Sequence, residues 1–120
     1  MTKITAAITG VGGYVPDFVL SNQLLEKMVD TTDEWITTRT GIKERILLKE
    51  EGKGASYLGI KAVEDLFRKT GTNPEEIDLI LFASVTPDMP VAISGAYLAT
   101  QIGAVNAFAV DLQAACSSFL

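Results

Sequence analysis

The chain has 120 residues, with 10 Lys and Arg against 15 Asp and Glu, no histidine and a single cysteine. Its net charge of -5 without basic runs argues against nucleic-acid or anionic-membrane partners, and one cysteine rules out an internal disulfide framework and fits a reducing cytosol. A hydrophobic content of 48% is enough for one small domain with its own core, and Met1-Thr2-Lys3-Ile4-Thr5 lacks the long apolar stretch and cleavage site of a signal peptide.

In chain order, Ile4 to Val11 reads as a β-branched strand closed by Gly12-Gly13, followed by a turn at Tyr14-Val15-Pro16-Asp17. Ser21 can cap a short amphipathic helix with Leu24, Leu25 and Met28 on one face. Thr31 and Glu34 have capping-box spacing and open a second helix through Trp35, Ile36 and Arg39, which should stop at Gly41. The stretch 43–53 is charged and expected to be exposed. From Gly54 to Thr70 the helical pattern is strongest, with Leu58, Ala62 and Leu66 on one stripe and Gly59, Val63 and Phe67 on the next; Arg68 and Lys69 suit its last turn and Gly71 its left-handed stop. Asn73-Pro74-Glu75-Glu76 is a second cap with proline at the first helical position. A continuous apolar strand over 79–85, an apolar helix from Ile93 to Ile102 and a second apolar strand over 105–110 follow, leading to Gln113 and a turn holding the cysteine. The order β-α-α-α-β-α-β with a nascent helix is α/β, with no internal repeat and no linker.

Of the 25 charged residues, 24 lie before residue 89 and only Asp111 lies after it. The uncharged run from Met89 to Val110 raises the question of a membrane span, but Pro90, Gly95, Gly103, Gln101 and Asn106 interrupt it and its pattern changes from helical to strand-like after Gly103. A helix and a strand buried on several sides are expected instead. Burial on that scale needs more covering layers than these residues supply, which points to a piece of a larger assembly.

Cys116 lies in Gln113-Ala114-Ala115-Cys116-Ser117-Ser118-Phe119-Leu120, directly after the last strand. On the first turn of a helix a thiolate faces unpaired backbone N–H groups and the positive end of the dipole, which stabilises it as a nucleophile. In open α/β sheets the carboxyl end of a strand is also where ligands bind. The competing reading is a small buried hydrophobe, and spacing alone does not choose between them.

The segment Gln113–Leu120 resembles the nucleophile motif of the β-ketoacyl-ACP synthase III family, the initiating condensing enzymes of bacterial type II fatty acid synthesis. Val29-Asp30-Thr31-Thr32-Asp33-Glu34-Trp35-Ile36-Thr37-Thr38-Arg39-Thr40-Gly41-Ile42 is a second match, and Thr9–Pro16, Thr86-Pro87-Asp88 and the Leu79–Ser84 strand agree in order and spacing. The resemblance implies a thiolase-like α/β fold in which residues 1–120 form most of the first of two similar halves, ending just after the nucleophile, within a cytoplasmic homodimer. It implies that Cys116 takes the acyl group from acetyl-CoA or another short acyl-CoA and passes it to decarboxylating malonyl-ACP. Both are substrates; no cofactor, metal, nucleic acid or membrane is implied. A histidine and an asparagine of the second half assist decarboxylation, so the 120 residues alone are expected to condense nothing, and the basic surface that docks an acidic carrier protein lies outside them.

By the same resemblance Trp35 stacks on the CoA adenine, Arg39 contacts its phosphates and Thr31 lies on the adenine side. An indole face suits a flat base and guanidinium suits phosphate, and Trp35 and Arg39 share one helical face. Without the motif, Trp35 reads as a core aromatic and Arg39 as half of a surface ion pair. Two positions depart from the family. Val91 takes the place of a phenylalanine that closes the partner subunit's acyl pocket, which a smaller side chain enlarges or reshapes. Ser118 replaces a glycine, where an added hydroxymethyl is expected to crowd the backbone. The alternative of another class is a non-catalytic thiolase-fold fragment or scaffolding subunit; a further rival keeps the fold as a polyketide-type condensing enzyme.

Overall fold

Caps and glycine stops divide the chain into short elements. The computed structural model describes residues 5–119, which form two compact units: residues 5–14 with 53–119, and Val15–Gly52. In chain order the elements are β1 (Phe18–Ser21), α1 (Asn22–Leu25), α2 (Asp33–Thr40), β2 (Glu44–Leu47), α3 (Ala55–Thr70), β3 (Leu79–Ala83), α4 (Ser94–Ile102) and β4 (Phe108–Leu112). Single 3-10 turns occupy Pro74–Glu76 and Ala115–Phe119.

In the larger unit β3 and β4 pair in parallel, from Leu79 opposite Phe108 to Ala83 opposite Leu112. Both long helices take their N-terminal caps from acids distant in sequence. Gly54 precedes α3 without a side chain to offer, and both oxygens of Asp88 accept the Ser56 N–H at 3.1 and 3.2 Å. Asp111 of β4 accepts the Ser94 and Gly95 N–H groups of α4, each at 2.8 Å. Both helices end as expected, at Gly71 and Gly103 in the left-handed region. A Cβ at Gly59 would lie 2.8 Å from Leu98 Cδ1, so glycine there lets α3 approach α4. Leu98, Ala99 and Ala104 form the buried apolar centre of this unit.

The burial on several sides expected of β4 is incomplete within these residues, where Phe108 is exposed and Ala109 to Leu112 are half-buried; in β3, Ile80 and Phe82 are half-buried, whereas Leu79, Leu81 and Ala83 are exposed. Phe82 lies against Gly59 of α3 and Gly95 of α4, so the helices cover that face of the two-stranded sheet. The expected strand at 4–11 is also not found over its described residues; Ile4 lies outside them, and 5–11 joins no ladder. β-Branched propensity makes a strand only where a partner completes it. What does hold this segment is glycine. A Cβ on Gly12 would sit 2.3 Å from the Ala62 carbonyl oxygen and 2.7 Å from Leu66 N, while the Gly13 N–H donates to Asp65 at 3.1 Å. Gly12→Ala is therefore expected to destabilise the protein by about 2 kcal/mol or more, read from the midpoint of urea unfolding.

Asp65 also accepts from Lys69 and Arg68 on the same helix. The Lys69 hydrogen bond, followed by that from Gly13, holds its carboxyl down from 3.8 to about 2. A depressed folded-state value means that the contribution is present above the unfolded value and is lost as pH falls through the folded one. Asp65→Asn should thus flatten the loss of stability between about pH 4 and pH 2 in acid unfolding curves.

The smaller unit contains an antiparallel pair that the pattern does not announce, β1 with β2, from Phe18 opposite Leu47 to Ser21 opposite Glu44. Strands were not expected at 18–21 or 43–53; Glu44-Arg45-Ile46-Leu47 has only two adjacent apolar residues, and the pairing itself makes it a strand. Ser21 caps α1 as expected, accepting the Leu24 N–H at 3.3 Å, but that helix is one turn and leaves Leu24 and Met28 exposed. Leu20 and Ile36 are the buried apolar residues of this unit. Among the described residues no helix is long and apolar enough to cross a membrane.

Candidate active site

The sequence-predicted site residues fall into both units. In the smaller one, Thr32 rather than Thr31 is the N-cap of α2, accepting the Trp35 N–H at 3.1 Å. The expected capping box between Thr31 and Glu34 is therefore one residue out of register. The N–H of Asp33, the first residue of α2, donates to the carboxylate of Glu26. Gly41 ends the helix with φ 73° and donates its N–H to Thr37.

Thr31, beside this cap, is half-buried. Asp30, Thr31, Thr32 and Trp35 line an open pocket of about 390 Å³. Trp35 is 54% exposed within these residues. Arg39, one turn on, places its guanidinium 4.8 Å from the centre of the Trp35 ring, the expected neighbour relation of positions four apart. Thr31 and Trp35 thus share the pocket, and Arg39 sets a cation over the Trp35 ring. Asp30 and Thr32 were not singled out from sequence; the Asp-Thr-Thr-Asp run before the helix was the signal that could have found them.

In the larger unit, Cys116 is exposed, the second residue of the Ala115–Phe119 turn that follows β4. The nascent helix expected there is a 3-10 turn that reaches the last described residue. Its entry is constrained: Ala115 has φ 46°, and among the described residues it is the only non-glycine in the left-handed region. Such a conformation costs about 1–3 kcal/mol and is kept where the surroundings over-determine it.

Ser118 supplies part of that determination. Its hydroxyl accepts the Ala114 N–H at 2.6 Å and donates to the Leu112 carbonyl at 3.3 Å, the carbonyl that also accepts the Ser84 N–H at the end of β3. The expected crowding at Ser118 does not occur; the side chain ties the turn to the strand ends. Val91 lies in the irregular segment before α4 and is 95% exposed. Among the described residues no cluster of His, Cys, Asp or Glu is placed to hold a metal ion.

No family model matches the chain. Curated relatives match it from end to end: it is 56% identical over 120 residues to β-ketoacyl-[acyl-carrier-protein] synthase III 2 of Bacteroides thetaiotaomicron, covering 36% of that protein. It also resembles the crystal structure of 3-oxoacyl-[acyl-carrier-protein] synthase III from Aquifex aeolicus, with TM-score 0.85 and 44% identity over 92% of this chain and 35% of that one. The priming β-ketosynthase of the R1128 polyketide pathway follows at TM-score 0.84 and 35% identity, over 92% of this chain and 33% of the other. The chain spans about a third of the length of the relatives it matches. Sequence and thiolase-like α/β fold together assign these 120 residues to the β-ketoacyl-ACP synthase III family.

Proposed function

We propose that these residues carry the acyl-accepting cysteine and part of the coenzyme A site of an enzyme that starts type II fatty acid synthesis by decarboxylative Claisen condensation. The observation that carries this reading is the exposed Cys116 thiol on a constrained turn at the carboxyl end of a parallel strand. In the first step the Cys116 thiolate adds to the thioester carbonyl of a short acyl-CoA, acetyl-CoA in the simplest case. The tetrahedral oxyanion is met by backbone N–H donors including that of Cys116, and collapse expels the CoA thiolate, which takes up a proton. In the second step malonyl-ACP loses carbon dioxide, its carbanion equivalent attacks the Cys116 thioester, and a 3-oxoacyl-ACP leaves with the thiol restored.

The pocket beside Trp35 takes the adenine, with Thr31 at its edge and Arg39 toward the phosphates. Residues 1–120 correspond to most of the first half of a two-half subunit, and the enzyme works as a cytoplasmic homodimer in which Val91 borders the partner's acyl pocket. With no histidine in the chain, the groups that assist decarboxylation by stabilising the enolate come from elsewhere in the protein. The 120 residues by themselves should give no 3-oxoacyl-ACP from acetyl-CoA and malonyl-ACP; product above the no-protein background would contradict this assignment of roles.

A second reading, a polyketide priming synthase of the same chemistry, draws on the likeness to the R1128 enzyme and on valine at position 91. Competition between acetyl-CoA and a longer acyl-CoA in the acylation step separates the two. Val91→Phe should shift the preference toward acetyl-CoA by about tenfold, the size of a few methylene contacts; an unchanged ratio removes Val91 from the acyl pocket.

A further inference from the structure

The largest fully buried side chain among the described residues is not apolar. Asn22, at the junction of β1 and α1, is 0% exposed. An amide buried without partners is costly, so its environment must satisfy it. It does so with an unusual reach. Its Nδ2 donates to Asp33 Oδ1 at 2.6 Å, to the Ile42 carbonyl at 2.8 Å and to Thr37 Oγ1 at 3.3 Å. Its Oδ1 accepts from the Arg45 guanidinium, and its backbone N–H donates to the Lys43 carbonyl at 3.1 Å. Thr37 in turn donates to Asp33 at 3.1 Å. One side chain therefore joins the first turn of α2, its middle, the segment after its C-terminal glycine, and β2.

The need for this hub follows from the composition of α2. Asp33-Glu34-Trp35-Ile36-Thr37-Thr38-Arg39-Thr40 contains one buried residue, Ile36. A single apolar contact does not fix a helix's rotation about its axis; an apolar stripe normally does that. Here the inward positions Asp33 and Thr37 are polar and four apart, and both end on Asn22. The outward positions Trp35 and Arg39 form the ring-and-cation surface described above. Rotation of α2 by a small angle would move that surface against its pocket. A leucine at position 22 would fill similar space and bury apolar surface, but it would leave Asp33, Arg45 and the Ile42 carbonyl without their shared partner.

Resting on the coenzyme A reading of α2, we infer that Asn22 is the positioning residue of the nucleotide-binding helix: it sets acyl-CoA affinity through Asp33 and Thr37 without touching the ligand. Asn22→Asp keeps the shape and replaces a donor with a second carboxylate facing Asp33. In the full-length protein it should raise KM for acetyl-CoA about tenfold while kcat stays within about twofold, because Cys116 is untouched. Adding Asp33→Asn restores a donor–acceptor pair with its polarity reversed and should bring KM most of the way back. Trp35→Ala, measured beside them, tests the underlying reading: if it leaves KM unchanged, the coenzyme A site is not here. If Trp35→Ala raises KM while Asn22→Asp does not, the positioning role is wrong and the site stands. A fall in kcat and in thermal stability together, without rescue by Asp33→Asn, also overturns it in favour of a purely structural amide. Should Asn22→Asp not fold, Thr37→Val decides in the same assay: about a threefold rise in KM supports the inference, and a wild-type KM ends it.

Discussion

Cys116→Ala in the full-length protein should abolish transfer of a labelled acetyl group from acetyl-CoA to protein and lower condensation by at least about four orders of magnitude, the usual consequence of removing a covalent nucleophile. The expectation follows from where the side chain stands. β4 runs parallel to β3 and ends at Leu112; the chain then turns through Ala115 in the left-handed region and presents Cys116 to solvent. Alanine keeps the backbone and its N–H donors, so folding and acyl-CoA binding should persist while the covalent step is lost. Cys116→Ser keeps a hydroxyl in place of the thiol and, with no histidine among these residues to activate it, should fare little better. A Cys116→Ala protein that still forms an acyl-enzyme would remove the assignment of the nucleophile.

The second large effect belongs to Trp35. A base stacked on an aromatic ring is worth about 1–3 kcal/mol, so Trp35→Ala should raise KM for acetyl-CoA by roughly 10- to 100-fold with little change in kcat, at about 1.4 kcal/mol per tenfold. Trp35→Phe, which keeps a smaller ring, should fall between. Arg39 acts on the same surface in two ways, as a cation for phosphate and as a guanidinium 4.8 Å from the Trp35 ring centre. Arg39→Lys keeps the charge but not the planar fork, and should recover only part of what Arg39→Ala loses. Steady-state KM values across these four variants check the pattern; a Trp35→Ala enzyme with wild-type KM would contradict it.

Much of the larger unit was legible because its signals are local. The amphipathic stripes of α3, the cations in its last turn and the glycines at 71 and 103 each act within a few residues, and each element stands close to where the pattern sets it. The Asp88 and Asp111 caps were not legible, since they reach across 32 and 16 to 17 residues and depend on the fold being made. The strand pair β1–β2 escaped for the same reason: four-residue strands of mixed polarity are specified by their partner. At 5–11 the error ran the other way, where β-branched residues suggested a ladder and the glycines beside them instead make a close approach to α3. In the site, the residue types and spacing of Trp35 and Arg39 were readable, but the choice of Thr32 over Thr31 as the cap was not. Both are threonines before an acidic first turn, and both line the pocket. Asn22 was invisible for a further reason: nothing in a lone asparagine near a helix start announces burial.

The most direct test is to incubate the full-length protein with acetyl-CoA alone, digest it at acid pH and locate the added acetyl group by peptide mass spectrometry. One acetyl group per chain on the peptide containing Cys116, removable by neutral hydroxylamine as a thioester should be, is the predicted result. Acetylation confined to another residue, or none at all from a protein that binds acetyl-CoA, would contradict the account.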